Sequence, residues 1–339
     1  MSAALAHVTR DPVIEAPRTE TSAAPVLPRP LHVPHALHAP DRTWPETNCY
    51  VDLWIELLHL RGLAPEAMLG FTLRQDFEGD QFTFFKPKAA DIEALYGLEI
   101  LELALYEDLE SHSLIQAARG LPVLVEVDAF FLPDTAGTTY GREASKTTIA
   151  ILALDPARRF LDYVHNAGRF QLDGADYDGI FAKGRLLPYA EFVKPCGQPL
   201  SPAELPGAAL ALLRRHRGHA PTANPVTAFR AALSGKADAF VQRPLTAFHA
   251  YAFNTTRQLG ANFELLGSHL AWLTEAGVGP FGEAAEAATR LAQEAKAFQF
   301  QLARAFARGK LAGLPERLTA AEATYAAVFD ALDRALATE

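Results

Sequence analysis

The stretch TNCYVDLWIELLHLRGL (Thr47–Leu63) decides the reading of this chain. Asn48 is a good helix cap, because its side chain can accept the first free backbone N–H groups. The run Cys49 to Arg61 then follows with Tyr50, Leu53, Trp54, Leu57, Leu58 and Leu60 on one helical face. Gly62 supplies the left-handed residue that commonly ends a helix. The spacing therefore predicts an amphipathic helix whose first residue is Cys49.

Downstream, the pattern changes to strands. A short helix is expected near Pro65–Leu69; Phe71–Leu73 and Gln81–Phe85 then read as strands around the turn-like DFEGD segment, and Leu98–Leu105 reads as another. Asp91–Tyr96 and Tyr106–Ala118 are expected helices. Pro122–Phe131 is β-branched and alternating, as a half-buried strand should be. Thr147–Leu154 and Arg159–Val164 form an expected hairpin around Asp155-Pro156. From about residue 201 alanine becomes frequent and β-branched residues thin out. Helices are expected over 202–217, 224–234, 237–275, 280–309 and 319–337. Upstream, residues 1–40 are rich in Pro, Ala and Thr and are expected to be a disordered arm. The expected organisation is thus that arm, an α+β domain over 41–200 and an all-helical domain over 201–339.

The chain has 339 residues, enough for two domains, and is 49% hydrophobic and 21% charged, as a globular protein should be. Its formal charge of −9 argues against nucleic acid, which needs clustered Lys and Arg. The one basic cluster, Arg214-Arg215-His216-Arg217, is expected to be a solvated helix face. No apolar run reaches the length of a membrane span, and the N-terminus carries no apolar stretch of the secretory kind. No membrane partner is expected, and the expected location is the cytoplasm. Two cysteines, Cys49 and Cys196, make neither a disulfide framework nor a four-Cys zinc site. Walker A, G-x-G-x-x-G, G-x-S-x-G, H-E-x-x-H and C-x-x-C patterns are absent. No metal and no cofactor are expected.

Four places can carry chemistry. Cys49 at a helix start is one, since that position stabilises a thiolate; a plain buried cysteine is the simpler account. His165-Asn166 at a strand end is the second, as base and orienter, or as a hydrogen-bonded loop histidine. The third combines the DFEGDQ carboxylates, which could hold a cation or an amine or be a solvated turn, with Asp128 and Asp134 at the strand exit. The fourth is Arg257, Gln258, Asn262 and Glu264, which either line a cleft or form a hydrogen-bond network between domains.

The segments TNCYVDLWIELLHLRGL, DFEGDQFTFFK, VEVDAFFLPDTAGTTY, KTTIAI and RQLGANFELL resemble the bacterial domain-of-unknown-function family 1839. The N-terminal half is more distantly similar to the butirosin-biosynthesis acyltransferases, which resemble papain-like cysteine peptidases. Cys49, Asp128 and Leu132-Pro133 match that outline. The resemblance implies a papain-like N-terminal domain in which Cys49 attacks a carrier-protein thioester and passes the acyl group to a small-molecule amine. His165, Asn166 and Asp128 would be its catalytic partners, and Asn48, Asp80, Gln81, Lys146, Arg257 and Gln258 would bind substrate. In such proteins a histidine is expected just before the first hairpin strand, where this chain has Ala144. That departure keeps a second reading open: a non-catalytic papain-like protein that binds a carrier protein or a small molecule.

Overall fold

The computed structural model describes residues 31–338, apart from 241, 242, 244 and 310–312. The expected disordered arm lies mostly outside the described residues, but its last part, 31–40, is ordered. Leu37 and His38 in it are buried.

Helix α1 spans Cys49–His59, and the Asn48 carboxamide oxygen accepts the N–H groups of Tyr50 (3.2 Å) and Val51 (3.0 Å). Gly62 adopts φ +69°, and the chain closes with Leu63 N–H on the Leu58 carbonyl at 3.0 Å. The next segment begins as the short helix expected near Pro65–Leu69 but corrects the expected strand at Phe71–Leu73: all of Pro65–Arg74 is a 3₁₀ helix. Pro65 starts it where no N–H is needed, and Ala67 to Leu73 are buried on every side, so neither a helical nor a strand period shows in the sequence. Gln81–Phe85 is also no strand. Only an isolated bridge joins Phe77 and Phe82, and the Phe82 N–H goes to the Asn254 carbonyl at 3.0 Å.

Helix α2 (Ala89–Tyr96), strand β1 (Leu98–Glu102) and helix α3 (Leu109–Ala118) follow. Helix α3 begins later than expected because Asp108 caps it, accepting from Ser111 N–H at 2.9 Å. Strand β2 (Val123–Asp128) stops early, since Ala129–Phe131 wind into a 3₁₀ turn. The expected hairpin is β3 (Lys146–Asp155) and β4 (Phe160–His165). Strand β5 (Gly168–Asp173), helix α4 (Gly174–Ile180) and strand β6 (Ala190–Pro195) were not anticipated. Asn166 and Ala167 form the two-residue turn from β4 into β5, with Asn166 at φ +45°. Asn tolerates that conformation better than most residues. The result is one antiparallel six-stranded sheet in the order β1-β6-β2-β3-β4-β5.

Helices α5 (Leu205–Arg217), α6 (Pro225–Phe240), α7 (Leu245–Ala252), α8 (Gln258–Glu275), α9 (Gly282–Ala307) and α10 (Thr319–Ala337) make the C-terminal region. The single helix expected over 237–275 is interrupted, and a π-helical turn at Phe253–Arg257 joins α7 to α8. The basic cluster is a solvated face only in part, at Arg214 and Arg215. His216 is buried on Asp91 (2.6 Å), Arg215 pairs with the same carboxylate, and Arg217 reaches Asp333 at 2.7 Å, which pins α5 to α2 and α10.

Two apolar clusters fill the molecule, one on each face of the sheet. Leu124, Ala150, Val164 and Val193 face α1 and share a continuous core with the C-terminal helices. Val125, Val127, Ile149, Ile151, Leu161 and Tyr163 face the other way, toward α3, α4 and the turn after β2. Among the described residues no helix is long and apolar enough to cross a membrane.

Candidate functional site

Cys49 is the first residue of α1, partly exposed, with a free thiol. Its helix packs on the Ala150 and Val164 face of the sheet. His165 follows Val164 and therefore points to the opposite face, beside Ile149 and Tyr163. Its bonds confirm that direction. Nδ1 meets the Asp134 carboxylate at 2.5 Å, and Nε2 meets the Thr147 hydroxyl at 2.8 Å. Tyr163, on the same face of β4, donates to the other Asp134 oxygen at 2.6 Å. His165 is 1% exposed. His165 is thus directed away from the α1 side of its strand, and both imidazole nitrogens have partners other than Cys49. Ala144 sits in the exposed segment before β3.

Asp128 is likewise engaged by groups other than Cys49. Its Oδ1 accepts N–H groups from Phe130 and Ser145, each at 3.0 Å, and its Oδ2 binds the Arg185 guanidinium at 2.9 Å. Asn48 is spent on capping and donates to the Phe85 carbonyl at 3.1 Å. Asp80 and Gln81 are exposed on a turn at Gly79 (φ +89°), and Lys146 makes a surface pair with Glu126 at 2.5 Å.

Residues 31–48, in contrast, form a strap over α1 and α8 that encloses a charged interior. Asp52 and Glu56, one turn apart on α1, point inward. His38 lies between them, with Nδ1 2.5 Å from Glu56 and Nε2 3.3 Å from Asp52. Asp52 also accepts from Thr47 N–H (2.8 Å) and hydroxyl (2.5 Å), while His32 takes the second Glu56 oxygen at 2.5 Å. Burial opposes a charge on His38, but its hydrogen bonds to Asp52 and Glu56 outweigh burial and raise its pKa to about 9. Burial also opposes charge on Glu56, and the His38 bond overcomes it and lowers its pKa. Nothing in the expected site set included these groups. The visible signals were carboxylates four apart inside an apolar helix and histidines at 32, 35 and 38.

The fourth place resolves as a hydrogen-bond network that also borders a cleft. Glu264 accepts the N–H groups of Thr43 (2.9 Å) and Trp44 (2.7 Å), and Arg257 donates to the carbonyls of Thr47 (3.0 Å) and Glu46 (2.8 Å). Asn262 donates to the Thr72 carbonyl at 2.9 Å, and Gln75 donates to the Gln258 carbonyl at 3.0 Å. The Gln258 side chain is buried and has no hydrogen-bond partner among the described residues. Where the strap meets α8, α9 and the β4–β5 turn, a pocket of about 340 Å³ opens, lined by His38, Trp44, Glu46, Ala167, Arg257 and Lys296. The Lys296 ammonium stands over the Trp44 ring, 4.0 Å from its centre. Burial, and then Arg257 nearby, lower its pKa. Glu46 is crowded in this concave site although solvent reaches it. Burial, reinforced by Asp52 and opposed by Arg257, raises its pKa. Neither Arg257 nor Lys296 makes an ion pair with a described carboxylate. No group of side chains suited to a metal ion is present among the described residues.

Two family profiles cover nearly all of this architecture: the DUF1839 N-terminal domain matches residues 33–195 and the DUF1839 C-terminal domain matches residues 202–334. No curated protein matches the chain. The chain belongs to the DUF1839 family.

Proposed function

We propose that this DUF1839 protein binds a small anion, a carboxylate or a phosphate ester, in the cleft beneath its strap, and forms no covalent bond to it. The observation that carries this reading is the convergence of Arg257 and Lys296 on one pocket in an otherwise acidic protein. Neither cation has a carboxylate partner there, and Lys296 is short of solvation, so an incoming oxyanion gains both charges at once. Glu46, whose carboxyl holds its proton more tightly than usual, stands at the same cleft. A cytoplasmic setting, with both thiols reduced, is part of the proposal.

Calorimetric titration with succinate and with inorganic phosphate tests it. Lys296→Gln should weaken whichever anion binds by roughly tenfold or more, the loss of one charge-assisted contact. If neither anion binds the native protein, or Lys296→Gln binds as well, the reading fails.

The second reading keeps acyl transfer through Cys49, from a carrier-protein thioester to an amine, on a papain-like scaffold. The thiol's place at the start of α1, partly exposed, favours it. In that reading the base comes from the substrate or from solvent, because His165 is turned away. Transfer from a loaded carrier that continues undiminished in Cys49→Ala would remove it.

A further inference from the structure

Beyond the anion cleft, on the far side of the sheet, a cavity of about 560 Å³ lies between the start of α3, the end of β2 and the segment 179–188. That volume is within the usual range for a small-molecule site, roughly 300–1,000 Å³. Asp128 stands at its wall and is 6% exposed. One of its oxygens is fixed by two backbone N–H groups. The other has a single described partner, the guanidinium of Arg185.

That guanidinium is held as a bound cation would be. Its carbon lies 4.5 Å from the centre of the Phe131 ring and 5.4 Å from that of Phe130, and the carboxylate closes the cage. Phe131 is itself fixed in place: its ring fills the space where any side chain at Gly179 would begin. The cage is therefore built on ordered parts, the end of β2 and helix α4. Its occupant is not. Arg185 rides on a segment without regular structure between α4 and β6, with a side chain 44% exposed and Leu187 beyond it 88% exposed. The remaining charged lining is mostly acidic, with Glu107, Asp108 and Glu126 against Lys183.

We propose that this cavity is a binding site for a small guanidinium or alkylammonium compound, and that Arg185 occupies the cation position as a built-in competitor. A ligand displaces Arg185 from Asp128, puts its cationic end between Phe130, Phe131 and the carboxylate, and lays its apolar part along Val127, Ile180 and Phe181. Because the ion pair that holds Arg185 is half exposed, exchanging it for a ligand of equal charge leaves Asp128 satisfied throughout.

Agmatine and n-butylguanidinium are the probes, measured by calorimetry on the full chain. Arg185→Ala should bind them at least about tenfold more tightly than the native protein, because the competitor is gone. Asp128→Asn added to Arg185→Ala should abolish that gain. Phe131→Leu, which leaves both N–H bonds to Asp128 intact, should reduce it severalfold and serves if the Asn variant does not fold. Lys296→Gln should leave agmatine binding unchanged, which separates this site from the anion cleft. The proposal is overturned if Arg185→Ala binds the probes no better than the native protein. It is equally overturned if Phe131→Leu keeps the full gain, or if only an arginine-bearing peptide binds and agmatine does not.

Discussion

Two buried histidines, one on each side of the sheet, use the same chemistry to different ends. His38 is clamped by Asp52 and Glu56 of one helix, and its bonds to them raise its pKa to about 9. His165 has one carboxylate, Asp134, and two neutral hydroxyl neighbours, Thr147 and Tyr163. The first joins a strap, a helix start and the anion cleft. The second fastens the loop after β2 to the middle of the sheet. A histidine with a carboxylate partner looks catalytic in sequence, yet the difference lies in what surrounds the pair. Among the described residues, the His38 side opens on a pocket whose cations, Arg257 and Lys296, have no ion-pair partner.

The largest expected effect comes from taking one carboxylate out of the His38 cluster. Glu56→Gln leaves His38 charged and partly unpaired and takes the acceptor charge from His32. A buried ion pair broken from one side costs about 3–5 kcal/mol. Urea unfolding should show a loss of that size, and the strap should become sensitive to proteolysis near Pro40–Pro45. A loss no larger than that of His165→Gln would erase the contrast between the two sites.

The pH profile sharpens the same contrast from both ends. The folded pKa of His38 is raised to about 9, so its contribution is complete below about 6.5 and is lost as pH rises through 9. A shift of that size is worth on the order of 3 kcal/mol. His35 runs the other way. Burial, assisted by His59, lowers its pKa to about 4, so it favours the folded state while neutral and that contribution is lost as pH falls from 6.5 toward 4. Stability measured by urea titration should therefore be greatest near neutrality and fall on both sides. His38→Gln should remove the alkaline decline and leave the acid one.

What could be read in the sequence, and what could not, divides along these same lines. Local signals were legible. Asn48 as a cap, Gly62 as a stop, the β3–β4 hairpin and α10 over Thr319–Ala337 depend on neighbours in the chain. Long-range ones were not. Asp52 and Glu56 look like ordinary polar positions until residues 32–47 fold over them. The 3₁₀ segment was legible only in its first half, near Pro65–Leu69; Phe71–Leu73 shows no helical period because it is buried against α5 and α8. Strand β5 did alternate, with Phe170 and Leu172 inward, but lay behind the two-residue turn Asn166-Ala167, which reads as a strand end. His165 was correctly placed on a strand. Which face it takes depends on register, and one residue's difference would have turned it toward α1.

Gly260→Ala probes how tightly the strap is seated. Trp44 lies flat on Gly260, its indole N–H donating to the Ala292 carbonyl at 3.1 Å, and a β-carbon at 260 would enter the ring. The substitution should cost about 1–3 kcal/mol, the usual range for overpacking a filled core. It should also weaken anion binding, since the Lys296 ammonium rests on the Trp44 ring. Unchanged thermal stability would mean that the strap can shift freely over α8, and the cleft would then have no fixed wall.

The smallest effect is the one that bears most on Cys49. If the sheet truly separates the two groups, His165→Gln should change the rate of Cys49 alkylation by iodoacetamide by less than about twofold, because an imidazole on the opposite face neither deprotonates the thiol nor holds its charge. The same substitution should cost about 1–2 kcal/mol, from a buried hydrogen-bond pair left partly unmade. Cys49→Ala should cost under about 1 kcal/mol, since a half-buried thiol at a helix start packs little and Asn48 still caps the helix. Alkylation should be followed by mass spectrometry of the Cys49 peptide, because Cys196 is exposed and will react as well. A tenfold fall in the Cys49 rate in His165→Gln would mean that the sheet opens or shifts register in solution and brings the pair together. The acyl-transfer reading would then regain its base.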